Sequence, residues 1–423
     1  MSVLSQILPG TGRGTSEAGG GGSPLDVTSV EAPLHPTATR RGPPPRGGED
    51  FRIGLPSTRE ESWRWGDPAA IAAAAELPRG IALDAGEWFL DLPGARAVFV
   101  DGVLDEGRSD LRHVAIVPID GGSHALGRRT TGLGWSLRVD ADATAELIQI
   151  VHIATGGDNQ LPAEIVLANG ASASVVETYV GAGWSNRSTQ MMLGKGAKLT
   201  RAVRLLQSDG FVSLRDEVEV GAEASLIVTV LGAGDAGTRI DGSITVTGDD
   251  AFAEYGGALL TRNDQRQECA VSVRHAALNG QSKQIWRAVA ADKSTASLAA
   301  RVEVARDAQK TDGVQSLRGL LLQRTATVNL KPELEIFADD VKCAHGATVG
   351  ELDQRALFYM QSRGIPHAKA QALLTRAFVG DAFVQITDET VREAFVADAD
   401  AWLERALSAP LPPAGGVGGG ASS

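Results

Sequence analysis

Residues 194–251 read GKGAKLTRAVRLLQSDGFVSLRDEVEVGAEASLIVTVLGAGDAGTRIDGSITVTGDDA, and this stretch decides the fold. Gly-x-x-Ala turns punctuate it at Gly194/Ala197, Gly221/Ala224 and Gly248/Ala251, and a further one stands upstream at Gly170/Ala173. The glycines are spaced 24, 27 and 27 residues apart, and a looser echo, Gly280-Gln281-Ser282-Lys283, follows 32 residues later. Between the turns lie Ser174 to Val180, Leu199 to Leu206, Val212 to Val220, Ser225 to Leu231 and Ser243 to Thr247. All are rich in Val, Leu, Ile and Thr, with period-2 stretches. One small-residue turn per unit, at a fixed period in the twenties, is what a β-solenoid produces. The competing arrangement is an antiparallel sandwich with Asn169-Gly170 and Asn279-Gly280 as hairpin turns. The phasing of the turns favours the solenoid, whose open ends then need covering.

Composition agrees. Of the chain's 50 Gly and 18 Pro, 35 Gly but only 8 Pro fall in residues 51–408. Such a body suits tight turns between strands that must keep their N–H groups. The 40 basic and 52 acidic residues give a net charge of −12, which argues against nucleic-acid or anionic-membrane binding. Two cysteines, Cys269 and Cys343, exclude a disulfide scaffold. No apolar run approaches a membrane span, and Met1 to Pro9 has no Lys or Arg ahead of its short apolar stretch, so a cytoplasmic protein is expected.

The expected organisation runs outward from the repeat. Residues 145–346 form the β-helix core. An N-terminal α/β cap over 51–144 contains a short helix around Glu60 to Trp65, followed by Asp67-Pro68. Short strands follow at Trp88-Phe89 and at Ala97 to Val100, the latter turning at Asp101-Gly102. Residues 347–408 form a helical domain of three helices. Leu352, Ala356, Tyr359 and Met360 mark the first. Pro366 opens the second, with Ala370, Leu373, Leu374, Ala377 and Phe378 as its stripe. Val391, Phe395, Trp402, Leu403 and Ala406 mark the third. Residues 1–50 and 409–423 are Gly/Pro-rich and read as disordered tails.

The densest polar cluster is Asp339-Asp340-Val341-Lys342-Cys343-Ala344-His345-Gly346-Ala347-Thr348. If this segment is extended, Cys343 and His345 point to one side. A thiolate and an imidazole together suit iron or an iron–sulfur fragment, with Asp339 or Asp340 supplying oxygen. Two ligands do not make a site, and the residues alone equally fit a buried Cys and a hydrogen-bonded His at a strand–helix junction. His113, His124, His152 and His275 are scattered and read as structural, and His367 at a helix start as exposed.

Several stretches together resemble the SufB/SufD family of iron–sulfur cluster assembly scaffolds. They are Lys331-Pro332-Glu333-Leu334-Glu335-Ile336, the run ADDVKCAHGATVG from Ala338 to Gly350, Leu357-Phe358-Tyr359 and Ser362-Arg363-Gly364-Ile365. Asp307 to Asp312, Leu320 to Leu322 and, more loosely, Gly54-Leu55-Pro56 through Glu61-Ser62-Trp63 extend the likeness over residues 51–405. The ADDVKCAHGATVG run and the scarcity of cysteine resemble SufD rather than SufB; Ala344 departs from the serine usual there. The resemblance implies a right-handed parallel β-helix between helical ends. It implies pairing with a SufB-like chain and docking of a SufC-like ATPase on the C-terminal helices, where Phe378, Phe395 and Trp402 are the expected docking residues. His345 corresponds to the family's interface histidine, proposed to hold iron or the nascent cluster, and Cys343 is its neighbour. No cofactor is expected on the chain alone; iron or a forming cluster would be held transiently at the partner interface.

The expected absences fit a non-catalytic scaffold. There is no Gly-x-x-x-x-Gly-Lys-Ser/Thr loop, no Gly-x-Ser-x-Gly elbow and no convergent Ser/His/Asp set. Gly10, Gly12 and Gly14 follow no strand and open no helix, so they do not read as a phosphate loop. The rival functions are a β-helix enzyme acting on polysaccharides, which needs grouped acids or a base on one face, and a purely structural homo-oligomer.

Overall fold

Each turn of a solenoid must redirect the chain within a few residues, which calls for one left-handed residue per corner. In the computed structural model those residues are Asp142, Gly170, Gly196, Glu223, Asp250, Asn279 and Lys310, with φ between 56° and 70°. The N–H of each donates across to the following corner: Gly170 to the Lys195 carbonyl, Gly196 to Ala222, Glu223 to Asp249 and Asp250 to Leu278. A small buried residue closes the turn, namely Ala171, Ala197, Ala224 or Ala251. The corner behind the upstream motif is therefore residues 168–171, two positions before the Gly170/Ala173 match. Gly280 closes its corner instead of opening it, because Asn279 takes the left-handed place. The structure describes residues 55–57, 59, 63 and 66–408. Both expected tails, and most of the expected helix at Glu60 to Trp65, lie outside them.

Each coil supplies one strand to each of two parallel sheets. The first sheet runs through Ala95–Val100, Ile148–Ala154, the front of Ser172–Leu193, Lys198–Leu205, Ser225–Gly232, Phe252–Thr261, Gln281–Ala290, Asp312–Leu321 and Lys342–Glu351. The second runs through Gly132–Val139, Asp158–Leu167, the back of Ser172–Leu193, Asp209–Val220, Gly237–Val246, Arg266–His275, Thr295–Val304 and Thr327–Ile336. Arg201 pairs with Val228 and Val228 with Tyr255, a repeat of 27 residues, whereas Trp286 pairs with Leu317 at 31. The later coils are longer, which is why the turn signal fades beyond Gly248. Inward side chains of both sheets build one continuous core, from Phe99 and Trp135 through Leu199, Val228 and Ile240 to Trp286 and Leu317.

The solenoid begins at Ala95, inside the stretch expected to be cap, and ends at Glu351. Ala95–Val100 turns at Asp101-Gly102, both left-handed, and pairs with Val103–Leu104, as the sequence suggests. Trp88 ends a short 3₁₀ turn instead of starting a strand. Asp67-Pro68 starts a helix not expected from the sequence: Asp67 Oδ1 accepts from the Ala70 N–H at 3.0 Å at the head of α1 (Pro68–Ala75). Ile71 and Ala74 of α1 pack with Trp63, Leu126, Trp184 and Phe211 on the outside of the coils.

Three C-terminal helices follow the last strand: α3 (Gln354–Ser362), α4 (His367–Gly380) and α5 (Glu389–Ser408), counting Gly127–Thr130 as α2. Phe383, Phe395, Trp402 and Leu403 bury against Val176, Ala202, Leu231, Ala258, Leu260 and Val289 on the outer face of the first sheet. The two Arg204–Asp398 hydrogen bonds (2.7 and 3.0 Å), the Arg287–Asp381 pair and a 2.8 Å bond from Arg405 to the Ala233 carbonyl fasten this layer.

One charge on that outer face is badly placed. Glu254 is 6% exposed, lies in register between Ile227 and Lys283, and its Oε2 has no hydrogen-bond partner. Burial pushes its carboxyl from 4.5 up to about 7, with Lys283 opposing in part. Between those values the folded chain keeps a proton that the unfolded chain has released, so this residue lowers stability as pH rises through the window. Glu254→Gln is expected to stabilise the protein at pH 8 by up to about 3 kcal/mol, and hardly at all at pH 5. Melting curves at the two pH values test this; an equal shift at both would contradict it.

Candidate functional site

Among the described residues no strand follows the last coil of the solenoid. Thr327–Ile336 is bonded on one side to Thr295–Val304, and Lys342–Glu351 on one side to Asp312–Leu321; no further described strand continues either sheet. The two edges differ in chemistry. Thr327–Ile336 carries Lys331, Pro332, Glu333 and Glu335, residues that discourage another chain from pairing. Lys342–Glu351 carries charge only at its ends, and the residues between read Cys-Ala-His-Gly-Ala-Thr-Val-Gly. Between its ends this second edge carries neither the proline nor the charged side chains that guard the first.

Cys343, His345 and Ala347 stand in register with Gly313, Gln315 and Leu317, and the Gln315 and Leu317 side chains face the core. They are the final rung of that inward column among the described residues, where Cys343 is half-buried and His345 exposed. The strand geometry thus places Cys343 and His345 on one face, about 7 Å apart along the chain. Burial raises the Cys343 thiol above its ordinary value, while a backbone hydrogen bond from Gly313 works the other way. Among the described residues no three His, Cys, Asp or Glu side chains converge where one ion could sit. Val314, Ile336, Phe337, Val349 and Phe358 add exposed apolar surface on these last two coils and on α3.

The expected docking residues lie elsewhere than on a surface. Phe395 and Trp402 are 0% exposed and form the seam between α5 and the solenoid; Phe378 is half-buried beneath the Arg287 guanidinium. The periodicity of Phe395 and Trp402 marked core, so these two have no surface to offer a partner. The exposed counterpart is a groove of about 430 Å³ between α4 and α5, lined by Ala368, Ala372, Leu373 and Leu407 and bridged by Arg376–Asp400.

Sequence reasoning missed a charged network sealed inside the coils. Arg201 donates through Nε to Glu177 and through Nη1 to Asp216, both at 2.6 Å. Glu177 Oε2 also accepts from Tyr179 at 2.8 Å and from His152 Nε2 at 3.2 Å, and Asp216 Oδ2 accepts from Tyr255 at 2.7 Å. All six side chains are fully buried. Burial pushes Glu177 up, but Arg201 and His152 outweigh it and hold the carboxyl well below the usual carboxylate range. His152 goes the other way: burial drives it down to about 4 against the pull of Glu177.

Residues 154–378 match the family described as "SUF system FeS cluster assembly, SufBD core domain", more than half of the chain. This chain belongs to the SufB/SufD family. Among its relatives, it is 40% identical to the iron–sulfur cluster assembly protein SufD of Escherichia coli K12 over 116 residues, 27% of each chain. It is 25% identical to a SufBD family iron–sulfur cluster assembly protein of a Synechocystis species over 381 residues, covering 78% of this chain and 84% of that one. A chloroplastic Arabidopsis thaliana protein, ABCI7, is 29% identical over 238 residues, 54% of this chain and 50% of that protein. The match thus spans about a quarter of the Escherichia coli protein and half of the Arabidopsis one. SufB/SufD proteins are scaffold-type components of SUF iron–sulfur assembly, and the parallel β-solenoid with a helical C-terminus seen here is the architecture that the resemblance implies. No helix among the described residues is long and apolar enough to cross a membrane.

Proposed function

We propose that this SufB/SufD chain is a non-catalytic, cytoplasmic scaffold subunit of a SUF-type assembly complex. Its unprotected edge Lys342–Glu351 pairs with a SufB-like chain, its C-terminal helices dock a SufC-like ATPase, and His345, with Cys343 beside it, helps to hold iron or the nascent cluster. The observation that carries this reading is the coincidence of two features on one strand: an edge with no charge or proline between Cys343 and Gly350, and a His and a Cys on its inward face. Backbone pairing along that edge would give affinity. The partner's first rung would then roof the exposed face of Cys343 and His345. A half-site on each chain suits a transient cargo, since neither subunit alone can retain the cluster.

For the ATPase, the α4–α5 groove replaces the buried aromatics as the contact surface, with Leu373 and Leu407 as its apolar floor and Lys369, Arg376 and Glu404 on its rim. Phe395 and Trp402 then act indirectly, by fixing α5 on the solenoid.

The test is co-expression with SufB-like and SufC-like chains. Both are expected to co-purify with this chain, and His345→Ala should leave the complex and its melting temperature intact while lowering bound iron and sulfide several-fold. An unchanged iron and sulfide yield would refute the ligand role, and failure of both partners to co-purify would refute the scaffold reading.

A further inference from the structure

Inside the last coils a row of amide side chains runs toward His345. Gln284 is fully buried, and its Nε2 donates to the backbone carbonyls of Val271 at 3.1 Å and Arg301 at 3.4 Å on the opposite sheet. Its Oε1 accepts from Gln315 Nε2 at 2.8 Å, and that same nitrogen also donates to the Glu333 carbonyl at 3.3 Å. Carbonyl oxygens can only accept, so both amides are fixed in orientation: nitrogen toward the carbonyls, oxygen along the row. Gln315 is 2% exposed, and its Oε1 is sealed from solvent with no partner. A buried acceptor left unmade is uncommon in a native protein and points to a missing donor. The next inward side chain in register, one strand spacing of about 4.8 Å further on, is His345.

We propose that Gln315 is a positioning residue for His345: its Oε1 accepts the N–H of one imidazole nitrogen, which fixes the ring's tautomer and leaves the opposite nitrogen as a lone-pair donor facing out of the open end. Direction is built into the row, because Gln284 offers its oxygen to Gln315, Gln315 turns its nitrogen back to Gln284 and Glu333, and the oxygen that remains can be satisfied only by a donor. An imidazole so held presents a neutral nitrogen to a metal, the form in which histidine ligates. Gln315 touches neither iron nor sulfide in this arrangement. The inference rests on the reading of His345 as a ligand of iron or the forming cluster.

The tautomer can be read without any metal. In the full chain labelled with ¹⁵N-histidine at pH 8, the His345 signals are identified by their loss in His345→Ala. One protonated ring nitrogen should exceed the other by about tenfold, the bias a single hydrogen bond confers. Gln315→Leu should collapse that bias toward a mixture, and Gln315→Glu, which keeps an acceptor at the same point, should preserve it. A mixed tautomer in the unaltered chain, or an unchanged bias in Gln315→Leu, would overturn the proposal. The first outcome is readable even if the leucine variant does not fold. Iron content of the complex tests the ligand role of His345, while the apo-chain spectrum tests Gln315, so either can fail alone.

Discussion

Arg201→Leu is expected to cost about 3–5 kcal/mol of folding stability, the usual penalty for removing one partner of a buried ion pair. Arg201 lies between two carboxylates, Glu177 and Asp216, with no solvent access to any of the three. Removing the cation leaves Glu177 with two donors, Tyr179 and His152, and Asp216 with Tyr255, but neither carboxylate keeps an arginine hydrogen-bonded to it. Against a total stability of about 5–15 kcal/mol, that loss is a large fraction. The urea midpoint measures it, and a variant unfolding at the original midpoint would contradict the account.

A second substitution set separates charge from packing. Replacing Glu177, Arg201 and Asp216 together by apolar residues of similar volume should restore most of the lost stability, because no charge is then left uncompensated. If the triple variant is as unstable as Arg201→Leu, the network contributes through shape rather than electrostatics.

Much of this molecule is legible in its sequence. The phased turns signal coils because each corner needs a left-handed residue followed by a small buried one, a demand local enough to leave a motif. The buried network was legible too, by strand parity. Arg201 alternates with Leu199, Val203 and Leu205, all inward, and Asp216 with Val212, Leu214, Val218 and Val220. A charge in an apolar row is the signal; which charges meet is not in the sequence, because the partners lie on three different strands. The docking residues went astray for the converse reason. An apolar helical stripe reads alike whether it faces its own sheet or a partner, and the outer face of the first sheet, itself apolar at Leu231, Leu260 and Val289, claims Phe395 and Trp402. Cys343 and His345 share a face as two-residue spacing requires. Their exposure depends on the solenoid stopping one rung later, which no local pattern encodes.

Acid should unfold this protein earlier than a typical domain, and the interior histidines set the window. Burial drives both His152 and His275 from 6.5 to about 4. His152 donates to Glu177 between the rings of Phe99 and Tyr179, and His275 holds Ser282 Oγ at 2.8 Å. Between those two pH values the unfolded chain binds protons that the folded chain refuses, so stability falls as pH drops, by up to about 3 kcal/mol per histidine at pH 4. Glu177 acts in the same direction lower down, since its carboxyl is held below the unfolded value and its contribution is lost only as pH falls through the folded one. Glu254 opposes them, because its raised value makes the folded chain gain a proton over 7 to 4.5 and so gain stability. The unaltered chain should therefore lose only about one histidine's worth, roughly 3 kcal/mol, between pH 7.5 and 4.5, whereas Glu254→Gln should lose about twice that. Urea midpoints of the two chains at pH 7.5, 6 and 4.5 give both slopes. Parallel slopes would remove Glu254 from the account, and a flat profile in the Glu254→Gln chain would remove the histidines. His275→Asn in that background should then cut the slope by about half, because one of the two proton-refusing sites is gone.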